Sequence, residues 1–272
     1  MFDMELEFYK LNASGNDFIL IDNRDGIIYK RYNDIKDFVV KICRQHLSVG
    51  ADGVIFIERS DKADFKWRFF NSDGSEAEMC GNGGRCVARY AFIKGIAGNH
   101  MVFETLAGLI RAEVSSSKVK LQFTTPKDLK LDYPIKIEDR EIFINSVNTG
   151  VPHAVLITDD VEYVPVDDMG RKIRHHSVFG NAGSNVNFVQ VIDKDNVKIR
   201  TYERGVEGET LACGTGAVAT GIILKEKGLV RSPVMIWTRG GEKITIHMDK
   251  EVYLEGESRI VFRGELNREA LL

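Results

Sequence analysis

The sequence contains the same short turn twice, and this repeat limits the possible folds more than any other feature. Cys80-Gly-Asn-Gly and Cys213-Gly-Thr-Gly lie 133 residues apart. Each turn is followed by a run of small and apolar residues that stops at a glycine, which is typical of a helix and its C-terminal cap. We therefore predict helices over Arg85–Lys94 and Val218–Lys227, each preceded by a glycine-rich turn.

The same offset aligns residues elsewhere in the chain, which indicates an internal duplication. The matches keep one order and include residues other than glycine, so chance agreement among 25 glycines does not explain them. The matches are Gly50 with Gly183, Val54–Ile57 with Asn187–Gln190, Glu76 with Glu209, Gly95 with Gly228, Thr105 with Thr238, and Gly108 with Gly241. Two similar halves follow, with a boundary in the polar stretch Ser115–Lys130 and an insertion at Asp159–Asn181.

Runs rich in β-branched and aromatic residues flank both predicted helices and predict strands. They are Phe18–Ile21, Phe65–Phe70, Met101–Glu104, Lys118–Phe123, Ala154–Ile157, Val197–Tyr202, Val234–Trp237, Lys243–Met248 and Ile260–Arg263. Because the predicted helices are apolar on nearly all sides, each should be buried. We predict an α+β fold of two pseudo-symmetric domains, each a mixed, mostly antiparallel sheet wrapped around a central helix, with the active site in the cleft between them.

Composition excludes several classes of protein. A net charge of −3 over 272 residues gives no excess of positive charge for non-specific nucleic-acid binding. No apolar run approaches the length of a membrane span, and the acidic start Met1–Phe8 lacks the layout of a signal peptide. We therefore expect a cytoplasmic protein that acts on a small molecule and binds neither nucleic acid nor membrane.

The four cysteines fall into two groups by their sequence context. None forms a C-x-x-C pair or has a histidine at zinc-ligand spacing, so we expect no metal, and a reducing cytoplasm disfavours disulfides. Cys43 and Cys86 lie within helical stretches and are interpreted as packing residues. Cys80 and Cys213 lie at helix N-termini, where the helix dipole and unpaired N–H groups favour a thiolate and can hold a carboxylate.

Two thiols at matching positions suit the inversion of a carbon stereocentre. One thiolate removes the α-proton from one face, and the opposite thiol delivers a proton to the other face. The helix N–H groups would stabilise the charge that develops. The sequence has no Rossmann fingerprint and no P-loop, and nothing in it points to pyridoxal phosphate, so we expect no cofactor. The alternative from another class is a non-catalytic binder of anionic metabolites, which needs no thiols.

The sequence resembles the diaminopimelate epimerase family over nearly its whole length. The motifs that carry the resemblance are Gly15-Asn-Asp-Phe18, Phe70-Asn-Ser-Asp-Gly-Ser75, Cys80-Gly-Asn-Gly83, Gly150-Val-Pro-His153, Asn185-Val-Asn-Phe188, Glu203-Arg-Gly205, Gly208-Glu-Thr210 and Cys213-Gly-Thr-Gly216. The resemblance implies a homodimeric isomerase, independent of pyridoxal phosphate, that converts LL- to meso-diaminopimelate in lysine and peptidoglycan biosynthesis. It also implies that the last strand returns to the first domain, which gives domains of residues 1–120 with 259–272 and residues 121–258.

The resemblance further implies roles for individual residues. Cys80 and Cys213 match the two catalytic thiols. The residues that match those holding the reacting α-carboxylate through backbone N–H groups are Gly81, Asn82, Gly214 and Thr215. Those that match the residues gripping the distal end of the substrate are Asn16, Asn71, Asn185, Glu203 and Arg204, and the guanidinium of Arg204 suits a distal carboxylate. His153 either lines the site or orients its own loop, and Glu209 is a supporting candidate.

Two positions depart from the family pattern, and they concern substrate choice. The family often has Asn where this chain has Val151, and sometimes Gln where it has Gly53. A site that loses a hydrogen-bonding partner can change its discrimination between substrates. Racemases of the histidine or proline type on the same fold therefore stay as alternatives. Proline racemases typically carry Arg-Ser-Pro where this chain has Thr210-Leu-Ala212, and Arg204 favours a substrate with a second carboxylate.

Overall fold

The computed structural model describes residues 6–123 and 125–272 of the chain. Most of the acidic start, residues 1–5, lies outside the described residues. The described chain divides into two compact units, one formed by the residues up to Leu121 together with Gly256–Leu272, the other by Gln122–Glu255. Across the described residues, no helix is both long and apolar enough to cross a membrane.

The described strands are numbered here in chain order. They are β1 (Leu6–Ala13), β2 (Asn16–Asp22), β3 (Gly53–Glu58), β4 (Phe65–Asn71), β5 (Glu76–Ala77), β6 (His100–Thr105), β7 (Gly108–Ser115), β8 (Lys118–Gln122), β9 (Lys127–Ile137), β10 (Arg140–Asn148), β11 (Pro152–Ile157), β12 (Asn185–Val191), β13 (Asn196–Glu203), β14 (Gly208–Thr210), β15 (Val234–Trp237), β16 (Lys243–Met248), β17 (Val252–Glu257) and β18 (Arg259–Leu266). Every strand predicted from the sequence is present.

The helices are α1 (Ile27–Arg31), α2 (Ile35–Cys43), α3 (Gly81–Ile93), α4 (Val166–Arg174) and α5 (Gly214–Glu226), with short 3₁₀ helices at Val161–Tyr163, Ser177–Phe179 and Arg268–Leu271. The two repeat helices begin earlier than predicted. Cys80 and Cys213 are themselves the N-cap residues of α3 and α5, so the glycine-rich segment is the first turn of each helix and not a turn before it.

The two units have the same strand topology. In the first unit, β1–β2, β3–β4 and β6–β7 pair antiparallel, whereas β2–β3 and β4–β6 pair parallel. In the second unit, β10–β11, β12–β13 and β15–β16 pair antiparallel, whereas β11–β12 and β13–β15 pair parallel. The predicted fold class, two repeated halves with mixed and mostly antiparallel sheets, is confirmed.

Each repeat helix is buried in the core of its own unit. Helix α3 packs in a cluster that includes Leu11, Phe18, Ile55 and Trp67. Helix α5 packs in a cluster that includes Val155, Ile199, Ile236 and Ile246. This confirms the prediction of a sheet around a central helix, which follows from the apolar character of both helices on all sides.

The expected insertion at Asp159–Asn181 is wrong. Strands β11 and β12 run parallel, as do β2 and β3, and a parallel pair requires a crossover connection. Residues between β2 and β3 form α1 and α2, and residues between β11 and β12 form α4. The segment is therefore the counterpart of the first unit's crossover, diverged too far in sequence for the offset to reveal it.

The strand register corrects one part of the repeat alignment. Val54 lies opposite Phe70, which in turn lies opposite Glu76. In the second unit Val186 lies opposite Tyr202, which lies opposite Glu209. Val54 therefore corresponds to Val186 and not to Asn187. A shift of one residue exchanges the two faces of a strand, so it changes which side chains lie beneath each repeat helix.

Candidate active site

Cys80 caps the N-terminus of α3. Its backbone is extended, and its Sγ accepts a hydrogen bond from the N–H of Gly83 at 3.4 Å. The residue is partly exposed, and the next residue, Gly81, is too. The first N–H groups of a helix have no partner within it, so the N–H groups at Gly81 and Asn82 are positioned to hold an anion at the cysteine.

Cys213 is the N-cap residue of α5 and also has an extended backbone, but its Sγ accepts no capping hydrogen bond, and the residue is buried, with 8% of its surface exposed. Burial, followed by the charge of Glu203, raises the pKa of its thiol to about 12, although hydrogen bonds from Thr215 and Gly216 act in the opposite direction. The helix N–H groups therefore act in the expected direction, toward the thiolate, but they do not lower the pKa of Cys213 overall. Removal from water outweighs the helix N–H groups.

A matched arginine–glutamate pair supports the segment before each cysteine. The guanidinium of Arg68 binds both oxygens of Glu76, with Nε and Nη2 each at 2.7 Å. The guanidinium of Arg200 binds both oxygens of Glu209 at 2.6 and 2.7 Å. Glu76 and Glu209 each lie four residues before a cysteine. Each forms a bidentate pair with an arginine on the neighbouring strand, across β4–β5 in the first unit and across β13–β14 in the second. Both oxygens of Glu209 are occupied by this pair.

In the first unit, a chain of polar side chains links the start of α3 to the loop before β2. The buried guanidinium of Arg85 donates to Asn82 Oδ1 at 2.9 Å and to Ser14 Oγ at 2.6 Å. Asn82 Nδ2 then donates to Asn16 Oδ1 at 2.7 Å, and Asn16 Nδ2 donates to Asp52 Oδ2 at 2.9 Å. The structure therefore brings Asn16 and Asn82 together beside Cys80. Arg85 and Asp52, which fix both amides, were missed from the sequence.

The third candidate of this unit, Asn71, ends β4 and is exposed. Its Nδ2 donates to Ser75 Oγ at 3.0 Å within the turn that leads to β5. Gly53 lies opposite it in the register. A Cβ at Gly53 would lie 2.6 Å from both Phe69 Cε2 and Phe70 O. Gly53 is one of the two departures from the family pattern. The ring of Phe69 packs directly against it and leaves no room for a side chain.

In the second unit, Asn185 ties two loops together. Its Oδ1 accepts the backbone N–H of Arg204 at 2.9 Å, and its Nδ2 donates to the carbonyl of Pro152 at 3.2 Å. Asn185 is buried and Arg204 is half-buried. Among the described residues, the guanidinium of Arg204 has no hydrogen bond or ion pair. It is a cation available to a ligand.

The carboxyl group of Glu203 interacts electrostatically with the Cys213 thiol. Its Oε2 accepts a hydrogen bond from Thr210 Oγ1 at 2.9 Å. Burial raises the pKa of its carboxyl group, and its charge is in turn the second cause of the raised pKa of Cys213. Glu203 and Cys213 are therefore electrostatic neighbours.

His153 is fully buried at the start of β11. Burial, and after it the charge of Arg204, lowers the pKa of its imidazole to about 3. Its Nδ1 lies 3.1 Å from Asn187 Nδ2. Asn187 lies in a run that is predicted from the sequence as an apolar strand, so its contact with His153 was not predicted. The sequence signal that could have revealed this contact is a polar residue between Val186 and Phe188, in a strand whose neighbouring residues are apolar.

The segment that contains Val151 is held against the start of α5. Thr149 Oγ1 donates to the carbonyl of Thr215 at 3.0 Å, and the N–H of Thr149 donates to the carbonyl of Val151 at 3.2 Å. Val151 is half-buried there. Residues 149–151 therefore border the Cys213 turn, and the valine side chain has no group that could form a hydrogen bond there.

The described residues contain no group of three or more His, Cys, Asp or Glu side chains arranged to hold a metal ion. All four cysteines are unpaired by disulfide. Cys43 and Cys86 are buried, as expected for packing residues.

The fold is shared with solved structures of low sequence identity. A phenazine biosynthesis protein of the PhzF family from Bacillus anthracis has a TM-score of 0.72 at 15% identity, covering 97% of this chain and 100% of that chain. A hydroxyproline epimerase from Agrobacterium vitis has a TM-score of 0.70 at 14% identity, covering 98% and 94%. The chain therefore belongs to the fold class that also contains this PhzF-family protein and this hydroxyproline epimerase.

Sequence comparison is more specific than the fold. The model of the diaminopimelate epimerase family matches twice, at residues 8–128 and 145–261. Diaminopimelate epimerase of Aquifex aeolicus is 50% identical over 278 residues, covering 98% of this chain and 99% of that protein. The corresponding protein of Hydrogenobaculum sp. is 51% identical, covering 96% and 98%. The chain belongs to the diaminopimelate epimerase family.

Proposed function

We propose that this protein is a cofactor-independent epimerase that inverts one α-carbon of diaminopimelate between the LL and meso forms. The observation that carries the proposal is the matched pair of cysteines, each the N-cap of a buried repeat helix. Membership of the diaminopimelate epimerase family supports the choice of substrate. The inferred homodimer and cytoplasmic location rest on the family resemblance and on a mechanism that needs reduced thiols.

The two proton transfers require that one cysteine begins as a thiolate and the other as a thiol. The thiolate takes the α-proton, the electron pair stays on the α-carbon, and the second thiol gives its proton to the opposite face. The two cysteines then have exchanged protonation states, which suits the reverse reaction. The raised pKa of Cys213 in the structure described suits the thiol that donates the proton.

The substrate carboxylate at the reacting centre is proposed to bind at the helix N-termini. Gly81 with Asn82, and Gly214 with Thr215, supply the first N–H groups of α3 and α5. These donors need no rearrangement as negative charge develops at the α-carbon. The same geometry explains why glycine follows each cysteine, since a side chain there would obstruct the approach of a ligand to the backbone.

The distal end is proposed to bind at Arg204, whose guanidinium is unpaired among the described residues. The distal role of Asn16, Asn71 and Asn185 is proposed from the family resemblance, and in the structure their amides fix loops of their own units. For Glu203, proximity to Cys213 favours a role at the thiol over the distal role. His153 is assigned to the site near Arg204, and Glu209 to support of the Cys213 segment through Arg200.

The experiment that tests the proposal follows the α-hydrogen. The protein is incubated in heavy water with LL- or meso-diaminopimelate, and the products are separated by chiral chromatography and weighed by mass spectrometry. We expect the inverted isomer to carry one solvent deuterium. Histidine, proline and glutamate are tested in parallel, and turnover of one of them instead would replace the proposed substrate.

Cysteine variants test the two-thiol mechanism. Cys80→Ala and Cys213→Ala should each lose epimerisation by more than about 10³-fold while remaining folded. Cys43→Ala is the matched control, because Cys43 is a buried thiol on α2 that is not an N-cap. Near-normal epimerisation by either single N-cap variant would contradict the mechanism, and binding without any exchange of the α-hydrogen would favour the metabolite-binding alternative.

A further inference from the structure

The layer beneath the repeat helix is built differently in the two units. In the first unit, Phe18 lies opposite Gly53, and Ile55 lies opposite Phe69. All three large side chains are apolar and buried within the cluster around α3. In the second unit, the register places polar residues at these same positions: His153, Asn187 and Thr201. All three are buried as well. A polar layer at these three positions is therefore present in the second unit and not in the first.

The hydrogen bonds of this layer fix the orientation of the Asn187 amide. Its Nδ2 lies 3.0 Å from the carbonyl oxygen of Ala154, which can only accept a hydrogen bond. Its Oδ1 accepts the hydroxyl proton of Thr201 at 2.9 Å. The amide nitrogen therefore faces Ala154, and its second hydrogen is directed at His153 Nδ1, 3.1 Å away. Amide orientation is properly assigned from such a network.

The amide orientation in turn fixes the tautomer of His153. Because Asn187 Nδ2 can only donate, Nδ1 of the imidazole must accept, and a neutral imidazole then carries its proton on Nε2. Full burial of His153 disfavours the doubly protonated, charged ring. Strands β12 and β13 contribute neutral groups around the ring, Asn187 and Thr201, and the charge that acts on its pKa comes from Arg204.

The Nε2–H group is left without a partner. It is buried, and no described residue accepts a hydrogen bond from it. A buried donor with no acceptor is uncommon in folded proteins. The nearby Arg204 guanidinium likewise has no partner among the described residues. A buried donor without an acceptor and a half-buried guanidinium in the same unit fit an anionic acceptor supplied by a ligand.

Asn187 also contacts the first turn of α5. A Cβ added to Gly216 would lie 2.3 Å from Asn187 Oδ1. The same Cβ would lie 3.4 Å from the Cβ of Cys213. The amide is thus packed between the imidazole and the thiol-bearing turn.

We propose that Asn187 is a positioning residue that, supported by Thr201, holds His153 as the Nε2–H tautomer, so that His153 serves as a hydrogen-bond donor to a carboxylate of the bound substrate and not as a proton acceptor. The inference rests on the proposed function for the identity of the ligand. The tautomer itself does not depend on that function. The first unit has no counterpart, since Ile55 occupies the position of Asn187.

The first test reads the tautomer directly in the substrate-free protein. Nitrogen-15 NMR of histidine-labelled protein, with His153 assigned by the spectrum of His153→Gln, should show an unprotonated Nδ1 and a protonated Nε2 from pH 6 to 8. A proton on Nδ1, or a charged ring in this range, would overturn the proposal. This measurement does not require turnover, so a failure of the epimerase assay would leave it standing.

The second test changes the donor into an acceptor. In Asn187→Asp, a carboxylate should draw the imidazole proton to Nδ1 and leave Nε2 as a base. We expect KM for diaminopimelate to rise by roughly 10-fold or more, the effect of losing one hydrogen bond to a charged group. We also expect a new ionisation in the pH profile of kcat/KM near neutrality.

The matched control is Asn145→Asp. Asn145 is an equally buried amide of the same unit, which donates to Val155 O at 3.3 Å and accepts from Asp132 N at 3.1 Å. It should leave the His153 tautomer, KM and the pH profile as in the unaltered protein. An Asn187→Asp protein with an unchanged tautomer and KM would overturn the proposal, and if that variant does not fold, the spectrum of the unaltered protein decides.

Discussion

Gly83 and Gly216 occupy the same position in α3 and α5, three residues after each cysteine, and one added methyl group probes how different their surroundings are. At Gly216 the new Cβ would lie 2.3 Å from Asn187 Oδ1 and 3.2 Å from its Cγ. At Gly83 it would lie 3.2 Å from Ile55 Cδ1 and 3.4 Å from Trp67 Cζ3. The first contact requires a buried, hydrogen-bonded amide to move, and the second requires a small shift of a side-chain methyl group.

The magnitudes follow from these contacts. Overpacking costs about 1–3 kcal/mol, and each hydrogen bond of Asn187 that is broken costs about 1 kcal/mol. Replacing glycine by alanine within a helix returns about 0.5–1 kcal/mol. We therefore expect Gly216→Ala to lower the free energy of unfolding of its unit by about 2–4 kcal/mol. Gly83→Ala should change that of its own unit by about 1 kcal/mol or less in either direction.

The assay is urea unfolding followed by tryptophan fluorescence. The chain has two tryptophans, and Trp67 lies in the first unit while Trp237 lies in the second. Trp67→Phe and Trp237→Phe backgrounds therefore report on the units separately. Equal loss of stability in the two alanine variants, or a larger loss for Gly83→Ala, would refute the account of the polar layer beneath α5.

Three further predictions concern exposure, pH and the paired glutamates. Iodoacetamide should label the partly exposed Cys80 at least about 10-fold faster than the buried Cys213 at pH 8, as read by peptide mass spectrometry; equal rates would contradict the burial of Cys213. Because the pKa of buried His153 is lowered to about 3, the unfolded state takes up a proton first as pH falls from 6.5, so the free energy of unfolding should decline by up to about 1.4 kcal/mol per pH unit toward pH 3. His153→Gln should flatten this slope, and an unchanged slope would contradict a neutral buried imidazole. Glu209→Gln should weaken the bidentate pair with Arg200 and destabilise the second unit by about 1–3 kcal/mol in urea unfolding, whereas a loss of activity with unchanged stability would show a direct role in the site.

The duplicated turn was visible in the sequence because glycine and cysteine are fixed there by local geometry. A cysteine N-cap followed by two glycines separated by one polar residue leaves the same pattern in both halves. The strands and the two buried helices were likewise predictable from hydrophobic periodicity, since that pattern reports directly on burial. The family resemblance predicts which cysteines and which amides belong to the site.

Other features depended on partners distant in sequence. The residues between β11 and β12 appeared to be an insertion, because only the parallel pairing of those strands shows that a crossover is required there. The protonation of Cys213 also depended on tertiary structure, since the helix N-terminus is local whereas burial and Glu203 come from the assembled unit. Arg85 and Asp52, which fix Asn82 and Asn16, reach these amides across the fold.

The sequence by itself determined the repeat, the fold class, the family and the matched positions of Cys80 and Cys213. Each of these follows from local residue patterns and from the spacing between them. Only the tertiary structure decided which side of the duplication is polar beneath its helix. The strand register places Asn187 at the position that Ile55 occupies in the other half, one residue away from the pairing that the 133-residue offset gives. An offset measured between glycines cannot distinguish the two faces of a strand. That register determines that His153 meets an amide donor, and hence which of its nitrogens carries the proton.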